Sequence, residues 1–505
     1  MKSTHRLIVL CCAFLVLAGC GKSGDDTVVD VAFIGSTDAM FDNSQRLAPV
    51  GQEIRAATSE GLVAMDEFGE VVPALAERWI VTEDGLSYIF RLRDSQWPDG
   101  TPITGQNVRN EMQRNLRALR GTSLGLDLAK ISEIIPMTGR VIEIRLDSPM
   151  PQFLQLLAQP ELGLRRSGQG TGPMRLQRTD DIAVLDPLPP QARGLPFDEN
   201  WESRVRQVRV HAFAAPEAVD AFNKGIADIV MNGTLASLPL ADTGPLSRGT
   251  VRLDGTLGLF GIQIMHDTGL LSEATTREAI AMAIDRENLL APFNIGGWVP
   301  TTRIVAPDLP SEFGGGSGEN SGANSGANAG GVGERWTGLS LEQRQAQALR
   351  RIGAAARTTG GASLSIALPV GPGSDLLFRE LAGDLAAIGV RLVRAKAGEK
   401  ADLVLVDRLA RYADARWFLN QFNCSLKRGL CSAEADALIA EAGRTSDALQ
   451  TAALLAQAEA QLTSINAFIP LGAPIRWSLV RGNVDGFSEN RWGLHPLFPM
   501  ALRPM

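Results

Sequence analysis

Histidine is scarce in this 505-residue chain. His5, His211, His266 and His495 stand far apart, and no His-Glu-x-x-His pair occurs. Cysteine is equally sparse: Cys11, Cys12, Cys20, Cys424 and Cys431 contain no Cys-x-x-Cys spacing. Zinc and iron–sulfur centres need several such ligands converging, so no metal site and no cofactor is expected. Long apolar runs are also missing. The one substantial stretch, residues 7–17, falls well short of the roughly 20 residues that a membrane-crossing helix needs. The chain is therefore not expected to be a channel or permease itself. Nor is there a surplus of positive charge: the net charge is −7, which argues against a nucleic-acid partner. Only 7 of the 49 basic residues are lysine, a bias read as genomic rather than functional.

What is present describes a soluble globular protein. Hydrophobic residues make up 45% and charged residues 21%, enough for large cores over about three domains. Period-2 and apolar runs predict strands at 28–34, 88–93, 141–146, 204–213, 227–230, 257–264, 363–368, 391–393 and 402–406. Helical spacing predicts helices at 52–62, 105–119, 152–157, 216–224, 275–290, 339–357, 374–388, 433–442 and 446–465. The alternation in the second half argues for an α/β lobe with a mixed sheet. Residues 314–333 hold nine glycines and a tandem Ser-Gly-Ala-Asn, a composition expected to stay disordered.

The N-terminus reads as an address. A start with Lys2 and Arg6, the apolar run 7–17 and small residues beyond it form a secretory signal peptide over 1–19. Leu17-Ala18-Gly19-Cys20 resembles a bacterial lipobox, which implies lipidation of Cys20 and anchoring in the cell envelope, with 20–27 as a polar tether. Gly21 differs from the Asp that retains many lipoproteins on the inner membrane, so outer-membrane sorting stays open. With Cys11 and Cys12 removed in the signal and Cys20 lipidated, Cys424 and Cys431 remain as an even pair in an oxidising compartment; a disulfide between them is expected, with two free thiols as the alternative.

An ordered series of motifs follows: Ser59-Glu60-Gly61-Leu62-Val63, Val72-Pro73-Ala74-Leu75-Ala76-Glu77-Arg78-Trp79, Asp84-Gly85-Leu86-Ser87-Tyr88, Phe90-Arg91-Leu92-Arg93-Asp94 and Trp97-Pro98-Asp99-Gly100-Thr101-Pro102. Later come Gly170-Thr171-Gly172-Pro173, Ala283-Ile284-Asp285-Arg286, Ile388-Gly389-Val390 and Phe468-Ile469-Pro470-Leu471. The series resembles the family 5 extracellular solute-binding proteins, the peptide, dipeptide and nickel binding proteins of ABC importers. The resemblance implies an α/β, two-lobed periplasmic-binding-protein-like fold (type II, cluster C-like) with an extra inserted lobe. Lobe I would comprise 28–50, 168–256 and 478–505, the inserted lobe 51–167 and lobe II 257–477. It implies a monomer that closes on a peptide or related small solute and docks on a membrane permease driven by an ATPase.

In the family frame the cleft segment looks like Val406–Leu419, and the carboxylate that meets a peptide's ammonium falls on Arg411. That charge reversal favours an anionic or neutral ligand. Asp407, Arg411, Tyr412, Asp414 and Trp417 are the expected ligand-binding residues of this segment, with Asp414 able to compensate for the lost carboxylate. Thr37 and Asp38 fall on the family's opposite contact loop, and Asp38 could pair with Arg411 on closure. Gly121-Thr122-Ser123-Leu124-Gly125 matches a nucleophile-elbow pattern, but a helix-like run precedes it where a strand is needed, so no enzyme activity is expected. A second reading is a non-transport envelope lipoprotein that keeps the fold for sensing or protein interaction.

Overall fold

The structure is a computed structural model that describes residues 27–241, 249–307, 309, 332–359 and 361–503. The signal peptide, Cys20 and most of the glycine-rich stretch lie outside these residues.

Three sheets organise the chain. The first runs Met174–Thr179, Ile182–Pro187, Gln207–Phe213, Val28–Ile34, Ile229–Thr234, Arg476–Val480, Val251–Asp254. Its central strand, Val-Val-Asp-Val-Ala-Phe-Ile, lies parallel to both neighbours, with Val31 opposite Val210 on one side and Ile229 on the other. A central parallel strand is covered on both faces, which is why it reads as a near-continuous apolar run. Val29, Val31 and Phe33 pack with Val50, Ile54 and Ala57 of the helix Pro49–Thr58, while Ala32 faces Ala218 and Phe222 of Ala215–Asn223.

The second sheet runs Arg391–Arg394, Ser363–Ala367, Leu403–Leu409, Gly258–Ile264, Phe468–Gly472. The third is antiparallel: Ala76–Val81, Ser87–Leu92, Val141–Leu146, Ile131–Pro136. The helix Gly105–Ala118 packs on it through Val108 and Met112, while Arg78 and Ile80 face water.

The topology supplies a hinge. Val251–Asp254 and Arg476–Val480 are antiparallel neighbours in the first sheet, and their continuations Gly258–Ile264 and Phe468–Gly472 are antiparallel neighbours in the second. Two short crossings, 255–257 and 473–475, therefore join the lobes side by side. A few element-terminal residues of this kind can absorb the dihedral change of a hinge motion. In the present form the third sheet's lobe is packed onto the second. Ser148 Oγ donates to the Gly443 carbonyl at 2.6 Å, and Leu124 and Leu128 share one apolar core with Trp417 and Phe418.

Several sequence expectations are altered by tertiary contacts. The helix expected over 275–290 stops at Ala283, where Ile284 turns extended. Arg286 folds back to donate to the Ala281 carbonyl at 3.0 Å and to Pro470 of the second sheet at 2.8 Å, while Asp285 N–H is taken by Asp384. The expected loop at 35–38 contains a short helix, Thr37–Met40, capped by Ser36. Residues 174–187, given no strands from the sequence, form a hairpin that extends the first sheet and buries Ala183 and Leu185.

Candidate ligand-binding cleft

Between the lobes lies a cleft of about 660 Å³. Phe33 at the end of the central strand, Arg46, Glu53 of the helix Pro49–Thr58 and His495 form one wall. The opposite wall is the end of Leu403–Leu409 with the residues that follow, Asp407 to Arg411, and Trp417. Gln159 and Glu161, from the turn after Phe153–Leu157, complete the rim.

The expected site residues divide. Asp407, Arg411 and Trp417 face the cleft. Asp407 binds Arg476 at 2.7 Å, an ion pair across the hinge between the two sheets. Arg411 does not meet Asp38. Its guanidinium binds Glu161 at 2.9 Å and Gln159 at 3.2 Å, and its carbonyl accepts from Gln159 Nε2 at 2.8 Å. Glu161 is itself buried, so the pair it makes with Arg411 is shielded from water. Arg411 is thus neutralised within the protein, and its charge alone does not set the ligand's sign. Tyr412 is fully buried behind the wall beside Asp127, and burial raises its pKa well above 10. Asp414 caps the helix Ala415–Asn420 by accepting from Arg416 N–H at 2.7 Å, a backbone role away from the cleft lining. Thr37 and Asp38 sit in the short helix Thr37–Met40, with Asp38 exposed, and neither lines the cleft.

The sequence reading missed Glu53, Glu161, Arg408, Arg428 and His495. Glu53 is buried, and its pKa is pushed up to about 8 by that burial, so it is neutral near pH 7. His495 donates its backbone N–H to Glu53 at 2.9 Å and sets its ring 3.1 Å from Asp254. Burial opposes the charged ring, but Asp254 outweighs it and the His495 pKa is raised above 6.5. Arg428 was hidden in an unremarkable loop. Cys424 and Cys431 form a disulfide with Cα atoms 5.3 Å apart, and the loop it closes carries both Leu426 and Arg428 to the cleft. The closed loop is short, so the bond is expected to add about 2.5 kcal/mol. Replacing both cysteines by serine should lower the urea midpoint accordingly, as read by circular dichroism under non-reducing conditions. An unchanged midpoint would show that the loop is held by other contacts.

A buried carboxylate joins the inserted lobe to the second. Asp127 Oδ1 accepts from Asn420 Nδ2 at 2.6 Å. Burial raises the Asp127 pKa to about 7, an effect only partly offset by the Asn420 hydrogen bond and the Arg416 charge. Opening the lobes would return it to water and to a pKa of about 4. The closed form then keeps a proton that the open form releases. Its contribution to closure is full below about pH 4 and is lost as pH rises towards 7. Ligand affinity should therefore rise roughly tenfold as pH falls from 7.5 to 5.5, and Asp127→Asn should flatten that profile. Calorimetry across this range checks it; parallel profiles would remove Asp127 as the cause.

Ser123 opens the short helix Ser123–Leu128, with Thr122 as its cap, and lines the cleft. A strand-to-helix elbow is absent there, since the helix Gly105–Ala118 precedes it. Among the described residues the three imidazoles turn to Asp30, Asp402 and Asp254 rather than to Ser123. Also among the described residues, no helix is long and apolar enough to cross a membrane, and no cluster of three or more His, Cys, Asp or Glu could hold a metal.

Comparison with known proteins places this geometry. The glutathione-binding protein GsiB of Escherichia coli K12 is 24% identical over 333 residues, which cover 61% of this chain and 62% of that protein's length. The match thus spans under two thirds of that relative. The structure superposes on Haemophilus influenzae OppA in complex with RPPGFSPFR with a TM-score of 0.77 at 16% identity, covering 95% of this chain and 99% of OppA. The E. coli murein tripeptide binding protein MppA gives a TM-score of 0.74 at 18% identity, covering 95% and 99%. These likenesses fix a two-lobed periplasmic-binding-protein fold. The family model for bacterial extracellular solute-binding proteins, family 5, middle region, matches residues 70–425. With that match over most of its length, the chain belongs to the family 5 bacterial extracellular solute-binding proteins.

Proposed function

We propose that this protein is the substrate-binding component of an ABC importer. It captures a peptide or related small solute between its lobes and delivers it to a membrane permease coupled to an ATPase. The observation that carries the reading is the cleft of about 660 Å³ set over a two-strand hinge, with partners from separate lobes meeting across it. A volume of this order suits a small solute. The relatives' names, glutathione-binding and murein tripeptide binding, point to the same ligand range. The role is capture rather than catalysis.

Export to the envelope, anchoring at Cys20 and a monomeric state complete the proposal. Cys20→Ala should move the protein from the membrane fraction to the soluble envelope fraction; retention in the membrane would contradict the anchor. The function itself is tested by uptake. Solute that co-purifies with the protein is labelled and offered to cells. Uptake should be lost when the gene is deleted and restored by the intact chain. Unchanged uptake would contradict the importer role and favour an envelope protein that keeps the fold for sensing or protein interaction.

A further inference from the structure

Five arginines line the cleft: Arg46, Arg408, Arg411, Arg428 and Arg476. Two are neutralised, Arg411 by Glu161 and Arg476 by Asp407. The remaining carboxyl of the lining, Glu53, is held neutral by burial. Among the described residues, Arg46, Arg408 and Arg428 have no carboxylate partner. Arg46 is exposed and donates to the Arg120 carbonyl at 3.2 Å.

Arg408 and Arg428 are more unusual because both are half-buried. Arg428 donates to Gln421 Oε1 at 3.1 Å, a neutral acceptor. The guanidinium of Arg408 has no hydrogen bond to a side chain or carbonyl among the described residues. Its pKa is lowered to about 10, first by burial and then by the Arg428 charge, so it stays fully charged at neutral pH. Two like charges, close together and partly desolvated, cost free energy that the folded chain does not offset from within.

The backbone holds both in place. Arg408 lies opposite Leu259 in the second sheet. Arg428 sits in the loop closed by Cys424–Cys431, and that loop is pinned to the neighbouring strand, Gly258–Ile264, by Leu430 N–H to the Ile264 carbonyl at 2.8 Å. At Gly429 a side chain would collide with Gln263 and Ile264, so the loop lies flush on the strand. Guanidinium forks presented in this way match the oxygens of a carboxylate or phosphate.

We propose that Arg408 and Arg428 form an oxyanion-binding subsite, so that the cleft selects solutes bearing a carboxylate or phosphate group. This rests on the reading of the cleft as a capture site and names its ligand class. The test is calorimetry on the intact chain at fixed ionic strength, with glutarate and inorganic phosphate as probes. At least one should bind at one site per chain, and Arg408→Gln and Arg428→Gln should each weaken it by about tenfold or more. Exposed Lys224→Gln should leave binding unchanged. Arg408→Lys, which keeps the charge, should retain part of the affinity and guards against a folding artefact. Glutarate binding alone would assign a carboxylate ligand, and phosphate binding alone a phosphorylated one. No binding of either probe up to about 10 mM, or equal binding by wild type and both glutamine variants, would overturn the subsite. A co-purified solute held equally by the Arg408→Gln/Arg428→Gln double variant would overturn it while leaving capture intact. Probe binding in a protein whose deletion leaves uptake unchanged would overturn the importer reading alone.

Discussion

Replacing Glu60 by alanine is expected to be among the most damaging single changes in this protein. Glu60 is buried between two arginines. Arg93 forms an ion pair with it, and Arg193 reaches its Oε1 at 2.9 Å. Arg93 also ties the Arg193 carbonyl at 2.7 Å, so three distant segments meet on one carboxylate. Removing one member of a buried ion-pair network leaves charges without partners in a low-dielectric setting and costs about 3–5 kcal/mol. Glu60→Ala should therefore lower the urea midpoint sharply. Adding Arg93→Ala to Glu60→Ala should recover part of the loss, because one stranded charge goes with its partner. A double-mutant cycle measures this coupling. A loss under about 1 kcal/mol for Glu60→Ala would show that the cluster is solvated or relaxes freely.

Gly172→Ala is expected to be comparably severe for a different reason. The turn Gly170-Thr171-Gly172-Pro173 crosses the end of the helix Pro49–Thr58, with Gly172 N–H bonded to the Thr58 carbonyl at 3.0 Å. A Cβ at Gly172 would lie 2.2 Å from the Thr58 carbonyl carbon and 2.4 Å from Ser59 N. At Gly170 it would meet Thr58 O at 2.3 Å. These are backbone atoms of a packed helix end and cannot swing aside. Overpacking against them should cost about 3 kcal/mol or more. The contrast is Gly383→Ala, in the helix Pro372–Ala387, where an added Cβ meets nothing within 4 Å. That change should instead stabilise by up to about 1 kcal/mol through helix propensity. Chemical denaturation of the two variants side by side decides the matter; equal effects would remove the packing explanation.

Both changes fall on motifs that carried the family resemblance, and this shows what such motifs encode. Glu60 and Arg93 come from two of the quoted segments and meet in space. Arg286 of Ala-Ile-Asp-Arg ties a helix end to the second sheet. These are packing and turn positions, so the fold was readable from them. The strand Val28–Ile34 was readable for a simpler reason: burial on both faces leaves a run that is apolar except at Asp30. The helix at 274–283 was over-extended because nothing local in Asp285-Arg286-Glu287 announces that Asp384 and Pro470 will claim its end.

The cleft was only partly legible. The resemblance placed Asp407, Arg411 and Trp417 on a common segment, and all three line the cavity. Which acid would meet Arg411 was not encoded nearby, since Glu161 lies 250 positions away in another lobe. Tyr412, adjacent in sequence, points the other way and is fully buried. Arg428 gains its importance from a disulfide loop whose path over Gln263 and Ile264 has no periodic signature. The charge balance of the cleft emerges only after each arginine is matched with its own partner.

The central claim is that the lobes of this protein close on a small acidic solute. Native mass spectrometry of the protein isolated from the cell envelope tests it most directly. The account predicts one small ligand per chain, released on denaturation and carrying a carboxylate or phosphate. A protein that is empty and gives no thermal shift with peptide or anion libraries would contradict it. So would one loaded with a basic solute that has no acidic group.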